Sequence, residues 1–230
     1  TYLDTDFASY RFGLITVPVG MISQRHHPTE YFTTTRNRSE AKIIPSTWRS
    51  VGFGVFGDIT QWLQYQAVLV QGLNSEHFRK SIWIQDGASR KFETTSADSL
   101  AGALRIDYGP DFPYRKIGAS VYYGDTAKNR KKTDQLTVDA NVFVWDVHGN
   151  WESDSWTFRA LFLRGSLQNS EDVSTANATL TGTMKPSGSS APVGKAAEAA
   201  FLEVGYNLQD LMPQTFTRRT DVFARYDTMD

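Results

Sequence analysis

Histidine is the residue type in this sequence with the most versatile chemistry, because it binds metals and transfers protons near neutral pH. Four histidines are present, and His26 and His27 are adjacent, with Glu30 three residues beyond the second. A zinc site needs three or four ligands that converge in space, and no His-Glu-x-x-His spacing occurs. The chain has no cysteine, which excludes disulfides, thiolate ligands and cysteine nucleophiles. We therefore expect exposed loop histidines, with no metal and no cofactor bound.

The sequence also lacks the motifs that hold an activated nucleophile or a phosphate group. No Gly-x-Ser-x-Gly element occurs, and no glycine-rich loop precedes a convincing helix. The basic run KNRKK at residues 128–132 fits a solvated loop better than a contact for lipid phosphates. These observations predict a protein that is not an enzyme.

Composition narrows the classes of partner and of fold. The 24 basic and 25 acidic side chains nearly balance, so we expect no nucleic-acid partner. The chain is 40% hydrophobic and 13% aromatic, a mixture typical of strands that are apolar on one face. It contains no apolar run long enough for a membrane-spanning helix, whereas about ten alternating residues suffice for a spanning strand.

Segments with a two-residue period of hydrophobicity recur along the whole chain. Such alternation predicts strands that are apolar on one face and polar on the other. In the fifth predicted strand, for example, Ile117 and Val121 oppose Lys116 and Ser120. The predicted strands lie at about 8–18, 47–57, 60–72, 99–109, 114–124, 135–147, 153–166, 197–208 and 217–228.

Connections between these predicted strands alternate between short and long. Tight turns are predicted at Gly57-Asp58, at 110–113 and at 148–150, where Gly, Pro, Asp and Asn accept turn dihedral angles at little cost. Short turns on one side of a sheet and long loops on the other are typical of a meander barrel in an outer membrane. The remaining connections are long at 19–46, 73–98, 125–134 and 167–196, and short at 209–215.

The sequence therefore predicts an all-β fold, an antiparallel up-and-down transmembrane β-barrel in which residues 1–230 form a single domain. Nine predicted strands are an odd number, whereas single-chain bacterial barrels have an even one, so we expect the barrel to be incomplete at one or both ends. A half-solvated sheet in a soluble, carbohydrate-binding β-sandwich is the alternative fold.

Aromatic residues fall within a few positions of the predicted strand boundaries. Membrane girdles use rings with an apolar body and a polar tip in such places, although aromatic residues also favour strands in general. The residues concerned are Trp48, Trp62, Tyr108, Tyr114, Trp145, Trp151, Trp156, Tyr206 and Phe216.

Residues 12–59 contain three short motifs in a fixed order. They are Pro18-Val19-Gly20-Met21, then SQRHHP at 23–28, then IIPSTW at 43–48. This segment, about a fifth of the chain, resembles the porins of the phosphate-selective O and P family, although Gln24 and His27 replace the acidic residues of the middle motif. The resemblance implies an outer-membrane channel that is often trimeric. It does not imply phosphate selectivity, because no lysine-rich loop is present.

A barrel of this kind would lie in the bacterial outer membrane and pass small hydrophilic solutes or ions with weak selectivity. We expect the partners to be outer-membrane lipid, lipopolysaccharide and the solutes, with a homotrimer or other envelope proteins as further partners. The alternative function is a non-conducting barrel that serves as a structural or binding partner in an envelope assembly. Mixed charges predict weak selectivity, and the pore-lining residues expected are Arg105, Asp107, Lys116, Asp139, Arg159, Glu203, Arg219, Asp221, Arg225 and Asp227.

The long loop at 19–46 is expected to fold into the lumen as a constriction. Its basic residues outnumber Glu30 and Glu40, so any preference for anions would arise there. The constriction residues expected are Arg25, His26, His27, Arg36, Arg38 and Lys42.

Overall fold

A computed structural model describes residues 3–4, 7–25, 31–33, 35–88, 98–112, 114–180, 191–211 and 220–230. Its strands are β1 (Leu3–Asp4), β2 (Ser9–Thr16), β3 (Arg49–Thr60), β4 (Leu63–Gln71), β5 (Leu100–Tyr108), β6 (Arg115–Asp125), β7 (Asn141–Glu152), β8 (Trp156–Leu167), β9 (Ala196–Asn207) and β10 (Asp221–Met229). Two helices, α1 (Arg38–Ile43) and α2 (Ser170–Thr179), lie in long loops, as does a 3-10 turn at Ser75–His77; a second 3-10 turn, Gln209–Leu211, follows β9.

The ten strands form one antiparallel sheet in which each strand pairs with the next along the chain. This confirms the predicted all-β, up-and-down topology, and all described strands belong to one sheet, unlike the two sheets of a sandwich. The sheet is open, with β1 at one edge and β10 at the other. The predicted rhythm of connections is also confirmed, because long loops at 17–48, 72–99, 126–140 and 168–195 alternate with shorter connections.

Two predicted turns and one predicted strand were wrong. Gly57-Asp58 lies within β3, and the turn follows at 61–62. Residues 148–150 lie within β7, whose turn is at 153–155, so the strand predicted at 135–147 is displaced toward the C-terminus. Both turn errors have one cause: Gly, Asp and Asn were taken as turn residues, although backbone pairing can hold them inside a long strand.

The two faces of the sheet have opposite environments. We call the face over which the long loops fold the covered face, and the other the exposed face. In β5 and β6, residues alternate between buried and exposed almost without exception. The side chains on the covered face are polar toward the short connections and apolar toward the long loops, where the core lies. That core includes Trp48, Tyr122, Val142, Val144, Leu161 and Leu163.

The first long loop, residues 17–48, crosses the covered face, and we call it the inner loop. Val17 N donates to Trp48 O, which brings its two ends together. The Trp48 ring is 1% exposed and lies 4.6 Å from the Tyr122 ring of β6, so the prediction of Trp48 as a girdle residue was wrong. At its far side α1 packs against β9 and β10. The inner loop therefore spans the sheet from β2 to β10.

Candidate functional site

A buried ion-pair chain lies on the covered face of β5, β6 and β7. Arg105 binds Asp107 through two hydrogen bonds, of 2.6 and 2.9 Å. His148 Nε2 lies 2.9 Å from Asp107 Oδ1, and His148 Nδ1 lies 2.6 Å from Asp146 Oδ1. Ser120 Oγ donates to the other oxygen of Asp146. All five residues are less than 10% exposed.

Strand register explains why these side chains meet. Arg105, Ser120 and Asp146 are consecutive cross-strand partners, and the partners of Gly118 are Asp107 and His148. Residues two apart on one strand share a face, so two adjacent rows supply the whole chain. A Cβ added at Gly118 would lie 2.5 Å from both Asp107 Oδ1 and His148 Nε2. The absence of a side chain at Gly118 is therefore what allows these two residues to bond across β6.

The geometry fixes the charge of His148. Both ring nitrogens face carboxylate oxygens, which can only accept hydrogen bonds, so both nitrogens must carry a proton. The imidazolium and Arg105 then balance the charges of Asp107 and Asp146. Buried charges are tolerated only when paired and hydrogen-bonded, and this chain meets both conditions.

Replacing Gly118 with Ala is expected to push His148 away from Asp107. Overpacking of this kind usually lowers the free energy of unfolding by about 1–3 kcal/mol. Chemical denaturation of the full-length protein in detergent micelles measures the change. The matched control is Gly102→Ala on the exposed face of β5, where the nearest atom to an added Cβ is 4.0 Å away. Equal stabilities of the two variants would contradict this account of Gly118.

The ion-pair chain fastens the inner loop to the sheet. Gly20 N donates to Asp146 Oδ2 at 2.9 Å, and Arg105 Nη1 donates to Gly20 O at 2.6 Å. Gly20 has a φ of +72°, a left-handed conformation that glycine adopts without a steric penalty. Gly20 of the inner loop thus bonds to both ends of the ion-pair chain, the carboxylate of Asp146 and the guanidinium of Arg105.

A second carboxylate completes this attachment from within the inner loop. Glu40 Oε1 accepts from Met21 N at 2.9 Å and from Ile22 N at 3.0 Å. The side chain of Asn37 caps the N-terminus of α1 by accepting from Glu40 N. Glu40 is 1% exposed, and its burial raises the pKa of the carboxyl to about 7. We use the name carboxylate latch for the carboxyl groups of Glu40 and Asp146 together with the backbone amides of residues 20–22 that donate to them.

An arginine–glutamate cluster lies nearer the short connections on the same face. Arg159 Nη1 lies 3.1 Å from Glu203 Oε1, and Arg225 Nε donates to Glu203 Oε2 at 2.6 Å. Arg25 of the inner loop pairs with Glu152 at 3.3 Å. A cavity of about 30 Å³ beside the cluster is large enough for ordered water. Its walls include Met21, Tyr31, Arg25, Arg159, Glu203 and Arg225.

Most of the predicted pore-lining residues lie on the covered face, where several pair with one another. Asp139 was predicted on a strand, but it is exposed in the loop before β7, and Arg219 lies outside the described residues. Asp227 accepts from Ser39 of α1 at 2.9 Å, and Asp221 is half-buried on β10. The residues placed on the covered face are Arg105, Asp107, Lys116, Arg159, Glu203 and Arg225.

The predicted constriction residues are dispersed through the inner loop. Arg25 joins the arginine–glutamate cluster, whereas Arg36 donates to Ser46 Oγ at 2.9 Å. Arg38 is exposed at the first position of α1, and Lys42 is half-buried in its last turn. His26 and His27 lie outside the described residues.

The sequence-based reasoning missed Asp146, His148 and Glu40. His148 was expected in an exposed loop, but it is 4% exposed within β7. The signal available was the pair Asp146-x-His148, which repeats the one-residue spacing of Arg105-x-Asp107 on β5, the strand on the other side of β6. The turn predicted at 148–150 concealed it. Glu40 gave no such signal, because its role depends on the path of the inner loop.

Comparison with known proteins leaves the family open. A protein of Aquifex aeolicus (strain VF5), named only as uncharacterized, is 28% identical over 213 residues, which cover 90% of this chain and 46% of that protein. The chain thus spans about half the length of this curated relative. No family model matches the sequence, and no solved structure matches the fold.

In the described part of the chain, no group of three or more His, Cys, Asp or Glu side chains is arranged to hold a metal ion. No described helix is both long and apolar enough to cross a membrane.

Proposed function

We propose that this chain forms a section of a β-barrel in the bacterial outer membrane, a porin-like channel for passive diffusion of small hydrophilic solutes. The observation that carries the proposal is the inverted distribution of polarity between the two faces. Ion pairs are buried on the covered face, while large apolar side chains are exposed in rows on the other. These include Leu104, Ile106, Ile117, Val121, Phe143, Val147, Phe158, Phe162, Leu202 and Val222.

Hydrocarbon is the solvent that suits such an exposed face. Soluble proteins rarely expose contiguous apolar patches larger than a few hundred Å². Charged side chains on this face lie toward the strand ends, as Arg115 does at the first position of β6. Arg164 and Glu198 pair with each other near the long loops. A strand with an apolar middle and charged ends matches a bilayer with its two polar interfaces.

An aromatic row near the short connections supports the same placement. Trp62 and Tyr108 have ring centroids 6.5 Å apart, and Trp156 lies 4.7 Å from Tyr206. The exposed fractions of Trp62, Tyr108 and Trp156 all exceed 40%. Rings with polar tips concentrate at membrane interfaces, so this row would mark one boundary of the bilayer.

The open sheet is consistent with a larger barrel. In lipid, unpaired backbone groups at a strand edge are costly, so a spanning sheet must close on itself. The Aquifex relative is about twice as long as this chain, and a protein of that length would have enough further strands to close the barrel. The proposed barrel contacts lipid and lipopolysaccharide outside. A trimer is proposed from the resemblance to phosphate-selective porins.

Inside this barrel, the inner loop would form the constriction. It presents Arg25 beside Glu152, while Arg159 and Arg225 share Glu203. Pairs of opposite sign give a transverse field rather than a ring of one charge, so weak ion selectivity follows.

Conductance in planar lipid bilayers tests the channel directly. The full-length protein is expected to give discrete channels with weak ion preference, and deletion of residues 25–40 is expected to raise the single-channel conductance. An equal-length deletion in the 168–195 loop, outside the proposed constriction, serves as the control. A conductance unchanged by removal of 25–40 would contradict the role of the inner loop, and strong anion selectivity would contradict the mixed-charge lumen.

A non-conducting barrel is the second candidate, and one observation favours it. Asp146, His148 and Arg105 are all below 5% exposed even though the described sheet is open. A lumen sealed in this way would suit a structural or binding partner in the envelope. Absence of conductance from protein that is folded in detergent and inserts into liposomes would select this candidate.

A further inference from the structure

A groove crosses the exposed face beside the short connections. Ile117, Gly149, Ala160 and Leu202 are consecutive cross-strand partners in one row from β6 to β9. Ile117 is 61% exposed and Leu202 is 51% exposed, but the two small residues between them leave the backbone as the floor. The groove has a volume of about 850 Å³.

Aromatic side chains form the walls nearest the short connections. Trp151 and Phe158 are cross-strand partners in the next row, with ring centroids 5.4 Å apart. Tyr108 and Phe112 line the side toward β5, and Phe112 is 94% exposed. Flexible hydrocarbon fits between such walls, because the aromatic rings offer it broad apolar surfaces.

The mouth of the groove carries a cation. Arg115 is the partner of Trp151 in the register, and its guanidinium carbon lies 5.1 Å from the Trp151 ring. Its Nε donates to Glu152 O at 3.2 Å, and within the described part of the chain its two terminal amino groups make no hydrogen bond, so they can serve a further acceptor. Arginine presents these groups as a fork that matches a phosphate.

Among the described residues that line the groove, the charged ones are all basic: Arg115, Lys116 and Arg159. Lys116 and Arg159 belong to the covered face, and they are already paired with Asp111 and Glu203. Arg115 is therefore the cation that can recognise an anionic group at the mouth.

We propose that this groove binds one anionic glycerophospholipid, whose acyl chain lies over Gly149 and Ala160 and whose phosphate binds Arg115. The inference rests on the proposed location in a membrane. Short turns of outer-membrane barrels face the periplasm, so the lipid would come from the periplasmic leaflet. The aromatic row sits at the depth where headgroup and acyl chain meet.

Native mass spectrometry of the full-length protein in detergent tests the proposal, with added phosphatidylglycerol, phosphatidylcholine or lipopolysaccharide as probes. Wild-type protein is expected to retain one phosphatidylglycerol in preference to the other two. Gly149→Leu fills the floor and Arg115→Gln removes the cation, and each is expected to weaken retention about tenfold, which corresponds to about 1.4 kcal/mol.

Matched variants separate this site from general effects on folding. A Cβ at Gly149 meets only Lys116 O at 3.8 Å, so the Leu variant is compatible with the strand. Gly102→Leu adds the same side chain elsewhere on the exposed face, and Arg164→Gln removes an exposed arginine from the opposite end. Both controls should retain lipid as wild type does, and thermal unfolding is measured for all variants.

Each outcome of these measurements either supports or overturns the proposed lipid site. Equal retention of the three probes by wild type, or retention unchanged in Gly149→Leu, would overturn the lipid site, as would a preference for lipopolysaccharide. Conductance measured on the same samples keeps the two proposals apart. Channels without selective lipid retention would refute only the lipid site, whereas a protein that stays monodisperse without detergent would refute the membrane location itself.

Discussion

Replacing His148 with Gln is expected to lower the free energy of unfolding by about 3–5 kcal/mol, the usual cost of removing one partner from a buried ion pair. The variant leaves Asp107 and Asp146 charged and buried, and Arg105 is then the remaining cation of the ion-pair chain. Denaturant unfolding of the full-length protein in micelles, followed by tryptophan fluorescence, measures the loss. His77→Gln is the control, because His77 is half-buried in a 3-10 turn outside the ion-pair chain.

A double-mutant cycle identifies charge as the cause. Asp146→Asn removes the negative charge that His148→Gln leaves uncompensated, so the double variant should lose less stability than the sum of the two single variants. Part of the loss will persist, because Asp146 also accepts from Gly20 N and Ser120. Strictly additive losses would mean that His148 stabilises the sheet by packing alone.

Where one face of a strand is uniform in polarity, the sequence was sufficient to assign each residue to the covered or the exposed face. In β6 the predicted opposition of Ile117 and Val121 to Lys116 and Ser120 is confirmed by their exposure and burial. Buried and exposed residues alternate in the same way along β5. Alternation has a period of two, and an unbroken pattern leaves the register of faces unambiguous.

In β7 the same reasoning failed, and the cause is a change of polarity along one face. Val142 and Val144 lie on the covered face together with Asp146 and His148. The strand therefore reads as apolar in its first half and polar in its second, while Phe143 and Val147 occupy the exposed face. Polarity alone places Val144 and His148 on opposite faces. Only their even spacing, which the predicted turn interrupted, places them together.

The path of the inner loop follows from contacts that no local pattern contains. The sequence predicted that this loop enters the lumen, but its attachment depends on partners more than 80 residues away. Gly20 contacts Arg105 and Asp146 at sequence separations of 85 and 126. Cross-strand neighbours can be inferred from register, whereas a loop that crosses the covered face has no repeating geometry from which to infer its contacts.

Glu40 is the group whose titration is most coupled to the attachment of the inner loop. Burial is the largest influence and raises the pKa of its carboxyl to about 7, and the charge of Asp146 acts in the same direction. Hydrogen bonds from Ile22, Asn37 and Met21 favour the charged form, but they offset only part of this effect. The native protein therefore binds a proton at Glu40 between about pH 4.5, its ordinary pKa, and about pH 7.

The stability of the carboxylate latch is consequently expected to fall as the pH rises. The contribution of Glu40 is fully present below its ordinary pKa and is lost as the pH passes through about 7, because ionisation then costs more in the native state than in the unfolded one. The full effect is on the order of 3 kcal/mol. Measuring the free energy of unfolding at pH 5 and pH 8 for wild type and Glu40→Gln isolates it, since the amide stays neutral at both.

Glu40→Gln should therefore show a smaller decrease in stability between the two pH values than wild type, and it should be the more stable protein at pH 8. Glu171→Gln, which replaces a carboxylate at an exposed position in the first turn of α2, is the matched control. A parallel pH dependence in wild type and Glu40→Gln would show that Glu40 is ionised throughout. The carboxylate latch would then hold Met21 and Ile22 by charge, and the contribution of Glu40 would be the same at pH 5 and pH 8 and be lost only in acid, below its ordinary pKa of about 4.5.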